Sequence, residues 1–213
     1  MSFKITLSAL AFVVVSGAAS AATLFMDDFE SYAQGAPASI SPTWTVLDGS
    51  VDVIGTPGDF PWYPGQQIDM NGSGGESTAA RISTIISGFI VGKTYALSFD
   101  YGSNKNSNGF ETLLYGLQGV NNTIIAVSSF VSTNGAVPNL LSSGKILFTA
   151  ADTSYDLRFA DGLFGAPYGD DNDQGGPILD NVVVAAVPLP AAAPLLMAAL
   201  GGLGLLRRRR RAA

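Results

Sequence analysis

The sequence predicts an antiparallel β-sandwich, preceded by a secretory leader and followed by a short apolar and basic tail. Three observations lead there. Short segments alternate apolar and polar residues, the period of a half-buried strand. Clusters of Gly, Asn, Ser and Pro separate them. No long window between the two chain ends keeps a helical stripe, and the long apolar runs stand only at those ends.

The leader comes first. Lys4 supplies a positive start, Ile5 to Val15 is mostly apolar, and Ala19-Ser20-Ala21 is the small-x-small pattern cut by signal peptidase. The apolar run is too short for a comfortable membrane span. Residues 1–21 are therefore expected to be removed, leaving Ala22 as the first residue of the exported chain.

The domain follows, over residues 22–186. KTYALSFDYG is its clearest strand, with Tyr95, Leu97, Phe99 and Tyr101 on one face and Ala96, Ser98 and Asp100 on the other. SYDLRFADG repeats the pattern, with Tyr155, Leu157 and Phe159 inward and Asp156 and Arg158 outward. TLFMDDF, TWTVLDG, VDVIG, QIDMNG, ARISTII, ETLLYGL, NTIIAVSSF, KILFTA and ILDNVVV are further strands. Many short strands at this spacing argue for a sandwich of two antiparallel sheets.

Composition narrows the chemistry. The chain has no cysteine and no histidine, so it has no disulfide, no Ser-His-Asp or Cys-His catalysis, and lacks the commonest transition-metal ligand. The formal charge of −6 hides a stronger imbalance. Residues 22–186 hold seventeen acids against five bases, a net charge of −12. Such a surface repels nucleic acid and anionic lipid, and suits neutral sugars, divalent cations or simple solubility.

GSVDVIG, QIDMNGSGGES, GFIVGKTYALSFDYGSN and GGPILDNVVV, in that order, resemble the secreted galactose-binding-like jelly rolls, especially bacterial surface domains with a C-terminal sorting tail. The resemblance spans most of residues 24–186. It implies a jelly-roll sandwich, often with a structural calcium and sometimes with carbohydrate binding. It does not imply an enzyme.

Two groups of residues are candidate sites. In a regular strand Ile178, Asp180, Val182 and Val184 share one face, and an ionised acid on an apolar face needs a partner. Either a bulge or strand end turns Asp180 to water, or a cation meets it. The resemblance implies calcium between the first and last strands, where MDDFES offers Asp27, Asp28 and Glu30. Glu30 and Asp180 match its pattern best, with Asp28 third. Calcium takes six to eight oxygens, and with neither Cys nor His it is preferred to zinc. The acids of GDDNDQGG (Asp170, Asp171, Asp173) do not fit an EF-hand register; they either form a solvated turn or, standing just before Asp180, contribute to the rim of its site. The second group is Phe60, Trp62 and Tyr63, between prolines in GDFPWYPGQQ. These rings either stack on sugar or cap one end of the core. Trp44 reads as core. No phosphate loop or zinc spacing is present, and a catalytic carboxylate pair has no specific signal among so many acids.

The tail completes the chain over residues 187–213. Leu189 to Leu206 would be about 27 Å long as a helix, close to the roughly 30 Å hydrocarbon core. Pro190 and Pro194 spoil its first turns, and Arg207 to Arg211 keep its end in the cytoplasm. Val187, Pro188, Leu189, Pro190 and Ala191 resemble the VPLPA-type sorting signal recognised by exosortase-like membrane proteases; a plain tail anchor is the alternative. The expected protein is an exported module of the cell envelope or extracellular matrix that binds surface polysaccharide. A ligand-free structural surface protein is the alternative, and a glycan-degrading enzyme the third.

Overall fold

The computed structural model describes residues 21–55, 63–73, 80–104, 111–119, 124–132, 140–162 and 176–188. These form twelve β-strands. Residues Ala22–Val187 make one compact unit. The leader and the tail from Leu189 onward lie outside the described residues, as do Phe60, Trp62 and the acidic turn at 170–173. Among the described residues no helix is long and apolar enough to cross a membrane.

Strands β1 (Thr23–Asp27), β3 (Asp52–Gly55), β4 (Gln66–Asp69), β6 (Thr94–Ser103), β9 (Leu141–Ser142), β10 (Ile146–Thr149) and β12 (Pro177–Ala186) build a seven-stranded sheet. Strands β2 (Thr45–Asp48), β5 (Arg81–Ser87), β7 (Glu111–Gly119), β8 (Ile124–Ser132) and β11 (Ser154–Asp161) build a five-stranded sheet in the order β2-β5-β11-β7-β8. Every pairing is antiparallel. All the strands expected from alternation are present. The two-residue β9 is additional, because two residues are too few to carry a period.

The inner faces are those the alternation selects. Tyr95, Leu97 and Phe99 of β6 and Tyr155, Leu157 and Phe159 of β11 are all buried. Their rings interlock: Phe99 meets Phe159 at 5.0 Å between centroids and 84° between planes, and Phe89 meets Tyr95 and Tyr155 at 4.8 and 4.9 Å, also edge to face. Edge-to-face contact pairs the positive rim of one ring with the negative face of the other. Trp44 lies in this core, as its sequence context suggests.

One departure from regular alternation matters most. β12 pairs with β6 in two registers, and the shift falls between Asp180 and Val183. Asn181 there has a φ of 49°, the left-handed region that Asn tolerates better than most residues. The bulge reverses the phase of the strand. Leu179, Val182 and Val184 face the core, whereas Ile178 packs in a separate cluster with Ile54 and Tyr63. The expectation that Ile178, Asp180, Val182 and Val184 share one face is thus corrected: Ile178 and Asp180 lie on the outer face of the sheet.

Asp27 closes β1. Its carboxylate accepts hydrogen bonds from Phe29 N (2.9 Å), Tyr32 Oη (2.7 Å) and the buried Trp44 Nε1 (2.8 Å). Removing it strands an indole N–H in the core and a phenol at its edge. Asp27→Ala is expected to lose roughly 3 kcal/mol of stability, read as a lower urea midpoint at unchanged slope.

Candidate functional site

The outer face of the seven-stranded sheet is built from alternate residues of four strands. Asp52 and Ile54 of β3 pair with Asp69 and Gln67 of β4, Asp69 pairs with Ile178 of β12, and Asp180 pairs with Asp100 of β6. One further step along the β12–β4 register sets Gln67 beside Asp180. This face therefore carries a row of acids and amides on an apolar background.

Asp180 is only 6% exposed. Burial pushes its carboxyl up to about 7, against a hydrogen bond from Asn181 N, and the charges of Asp100, Glu30 and Asp28 push it further. The Asn181 amide bridges the pair, donating to Asp100 Oδ2 at 3.0 Å and Asp180 Oδ2 at 3.2 Å. Of the two fates open to Asp180, the bulge is present but does not turn the side chain to water.

Glu30 stands beside it for a topological reason. Along one edge of β12, β4 pairs with Ile178 and Leu179, and β1 pairs with Val182 to Ala185. A gap remains at Asp180 and Asn181. Glu30, three residues beyond β1, turns back toward β4: its Oε1 accepts from Gln66 N (2.8 Å), and its carbonyl accepts from Gln66 Nε2 (2.9 Å). Gly65, with a φ of 82°, leaves room for this, since any Cβ there would strike the Glu30 carboxylate.

The structure thus brings the expected Asp28, Glu30 and Asp180 within electrostatic reach and adds Asp100. It does not pack them into a cage. Among the described residues no group of three or more His, Cys, Asp or Glu could hold a metal by itself. Charges act over longer distances than coordination bonds, so both statements hold. The donor set still suits a hard cation. Gln66 Oε1 and Gln67 Oε1 are buried carbonyl oxygens without a hydrogen-bond donor, and Gln67 is wholly inaccessible to solvent. Of the two, Gln67 is the one on the outer face with Asp180, and a carboxylate with an amide carbonyl oxygen is the hard-oxygen chemistry that calcium takes. Asp100 was readable as an outward residue of the clearest strand; nothing in the sequence marks Gln66 or Gln67.

Tyr63 lies on the same outer face but is 4% exposed. Its hydroxyl donates to Ser103 O at 2.9 Å, its ring packs on Ile54 and Ile178, and burial pushes its phenol up. Of the two roles open to this ring, packing is the one the geometry has. No flat face of Tyr63 is left for a sugar.

The five-stranded sheet presents a different outer surface. Arg158 and Asp156 of β11 project there, with Arg158 Nε donating to Asp156 Oδ2 at 2.7 Å. Gly116 and Ser83 flank Arg158, and Gln118 and Ile85 flank Asp156, across β7 and β5. Ile85 is 68% exposed, and Asp156 Oδ1 has no hydrogen-bond partner. Sequence reasoning placed Asp156 and Arg158 outward but gave them no role.

Comparison with known proteins follows this geometry. No model of a known protein family matches the chain, and no curated protein sequence matches it. The chain superposes on the CBM22-1 xylan-binding domain of Paenibacillus barcinonensis Xyn10C with a TM-score of 0.51 and 13% identity, over 82% of this chain and 100% of that one. It shares that domain's fold. The CBM22-1–GH10 modules of Clostridium thermocellum endo-1,4-β-D-xylanase 10B, complexed with xylohexaose, align at a TM-score of 0.47 and 15% identity, over 79% of this chain. This chain spans 29% of that larger one.

Asp69 ties this face together. It is buried, and accepts from Asn71 N (3.0 Å), Gly176 N (3.1 Å) and the Asn104 amide, which lie on three separate connections. Burial pushes its carboxyl up to about 7, with Asp52 adding to the rise. A group that binds its proton more tightly folded than unfolded adds stability as pH falls below that value and loses it as pH rises through it. In chelator-treated protein, the melting temperature is expected to rise between pH 8 and about pH 5. Asp69→Asn should flatten part of that slope, and a scan of melting temperature against pH checks it.

Proposed function

We propose that the protein is an exported, non-catalytic β-sandwich module of the jelly-roll, galactose-binding-like type, binding polysaccharide at the cell surface or in the extracellular matrix. The observation that carries this reading is the outer face of the five-stranded sheet. Arg158, Asp156 and Gln118 set guanidinium, carboxylate and amide side by side on neighbouring strands. Such groups pair with adjacent sugar hydroxyls, and the half-buried Arg158–Asp156 pair holds its guanidinium and carboxylate in a fixed geometry for them. Exposed Ile85 beside them offers apolar contact to the C–H face of a ring. The fold shared with a xylan-binding domain supports the same reading. The absence of His and Cys removes Ser-His and Cys-His hydrolysis, which leaves a carboxylate pair as the route for a glycan-degrading enzyme.

In this reading signal peptidase removes residues 1–21. The tail, with Val187 to Ala191 as its motif, holds the exported domain at the inner membrane until an exosortase-like protease processes it. A structural calcium joins the start and end of the domain. Asp180 and Glu30 would hold it, with Asp28, Asp100 and the Gln67 carbonyl oxygen as further donors. The ion supplies positive charge to the buried Asp180 and the acids around it and clips β1 to β12, much as a cross-link would.

Two measurements test this. In affinity electrophoresis through gels containing xylan or other soluble polysaccharides, at least one glycan should retard the wild type. Arg158→Ala and Asp156→Ala should each weaken that retardation about tenfold, the equivalent of 1.4 kcal/mol, at unchanged melting temperature. Migration unaffected by every polysaccharide rejects the binding role. For the metal, chelator should lower the melting temperature, since saturation at about a hundredfold excess over Kd adds about 2.7 kcal/mol. Asp180→Asn should remove most of that sensitivity. An unchanged melting curve, with no calcium found by elemental analysis, rejects the site.

A further inference from the structure

One end of the sandwich differs from the rest of its surface. The connection from β5 to β6 turns there through Ile90, Val91, Gly92 and Lys93, with Lys93 N donating to Ile90 O. Ile90 and Val91 are 54% and 58% exposed. Turn tips normally carry Gly, Pro, Asn, Asp or Ser, because water solvates them; two branched aliphatic residues are out of place. They are not there through looseness. Ile90 N donates to Tyr95 Oη at 2.8 Å, and Gly92 N to Ala150 O at 2.7 Å, so the turn is pinned in its outward position. The apolar surface continues onto the chain's exit, where Val187 is exposed and its N donates to Thr94 O.

Both chain ends leave from this same end. Ala186 N donates to Ala22 O at 2.8 Å, which sets the first and last residues of the domain side by side. The apolar run Ile5 to Val15 precedes Ala22, and the apolar run Leu189 to Leu206 follows Val187. The apolar segment that follows the domain therefore joins it where Ile90 and Val91 protrude.

Charge separates the two ends as well. Among the described residues in the turns at this end, the charged groups are exposed Lys93 and buried Asp152. The opposite end carries Asp48, Asp52, Asp69 and Asp161 with Arg81. Among the described residues, Ile90 and Val91 thus stand at an end poor in charge, whereas the exposed Val46 and Leu47 at the opposite end sit beside Asp48 and Arg81.

We infer that the β5–β6 turn is a membrane-contacting wedge: Ile90 and Val91 dip into the interfacial region of the bilayer that receives the tail, with Lys93 at the headgroups. This rests on the tail being membrane-inserted before processing. The bilayer is the occupant because an apolar segment close to the length of its core, closed by Arg207 to Arg211, begins two residues after the exposed Val187. Two aliphatic side chains give weak contact on their own, so the wedge orients a tethered domain rather than recruiting a free one. It would set the far end, with its acids, away from the lipid.

The absence of cysteine supplies the test. Single cysteines at Val91, Ser39 or Ala198 can each carry a polarity-sensitive fluorophore in the full chain, reconstituted in vesicles of phosphatidylethanolamine and phosphatidylglycerol. Ser39 is exposed near Val51 at the opposite end. Ala198 lies in the tail and reports its insertion. The expected result is a blue shift at 91, with loss of more than about half its emission to a lipid-borne quencher near the headgroups, and no change at 39. Ile90→Ser should reduce the quenching at 91 while leaving that at 198 intact. A lipid-embedded 198 with a water-exposed 91 overturns the wedge and leaves the tether standing. Water exposure at both positions overturns the tether and the wedge together. A shift at 91 that grows with protein concentration in the absence of lipid assigns the surface to a second copy of the chain, and also overturns the wedge.

Discussion

The seven-stranded sheet is registered on β12, and β12 changes phase once, at Asn181. Three strands take their position from it: β6 along one edge, and β4 and β1 in succession along the other. Before the bulge, Leu179 fills the core and Asp180 faces out. After it, Val182 and Val184 fill the core. Without the extra residue, either Val182 and Val184 or Leu179 would face outward, since a one-residue slip exchanges the faces of a strand. The same residue opens the gap between β4 and β1 that Glu30 reaches. Core packing and the acidic site are therefore two results of one backbone irregularity.

A domain without cysteine must secure its connections by other means. Buried carboxylates do so here. Asp27 holds the turn after β1 and the Trp44 indole; Asp52 accepts from Ser73 N and Oγ; Asp69 gathers Asn71, Asn104 and Gly176. Each charged acceptor bound to N–H or O–H donors contributes about 1.5–3 kcal/mol per bond, so a few rival the 2–4 kcal/mol of a disulfide. The difference is that a carboxylate's contribution depends on pH, as the raised Asp69 and Asp180 values record. Stability in this protein is tied to proton activity rather than to redox state.

The parts of the fold legible in the sequence are those with a period. Tyr95, Leu97, Phe99 and Tyr155, Leu157, Phe159 announce their faces because six residues of strict alternation leave one burial solution. Asp180 was conspicuous for the same reason, as an acid among aliphatics. Its face was misjudged because Asn181 looks the same in a regular strand and in a bulge. Asp100 was visible as an outward acid, but its pairing with Asp180 depends on a register that joins distant segments. Gln66 and Gln67 gave no signal, since an amide is conspicuous only once its partners are known to be missing. Tyr63 could have stacked on a ligand or filled a gap until Ile54, Ile178 and Ser103 were placed around it. The wedge at Ile90 and Val91 was hidden inside GFIVGK, where three apolar residues between glycines pass for the start of a strand.

The adjacency of Ala22 and Ala186 carries a consequence for how such a domain can be arranged in longer chains. A unit whose entrance and exit lie side by side occupies a single attachment point. It can sit at the end of a host protein, or be spliced into one exposed loop of a host without prising that host apart. By the same geometry, a short linker joining 187 to 22 would allow the chain to be reopened elsewhere, with every strand pairing kept and only the order of synthesis changed. The sandwich is in this sense a cyclic object, whose strand pairings do not depend on the point at which the cycle is opened.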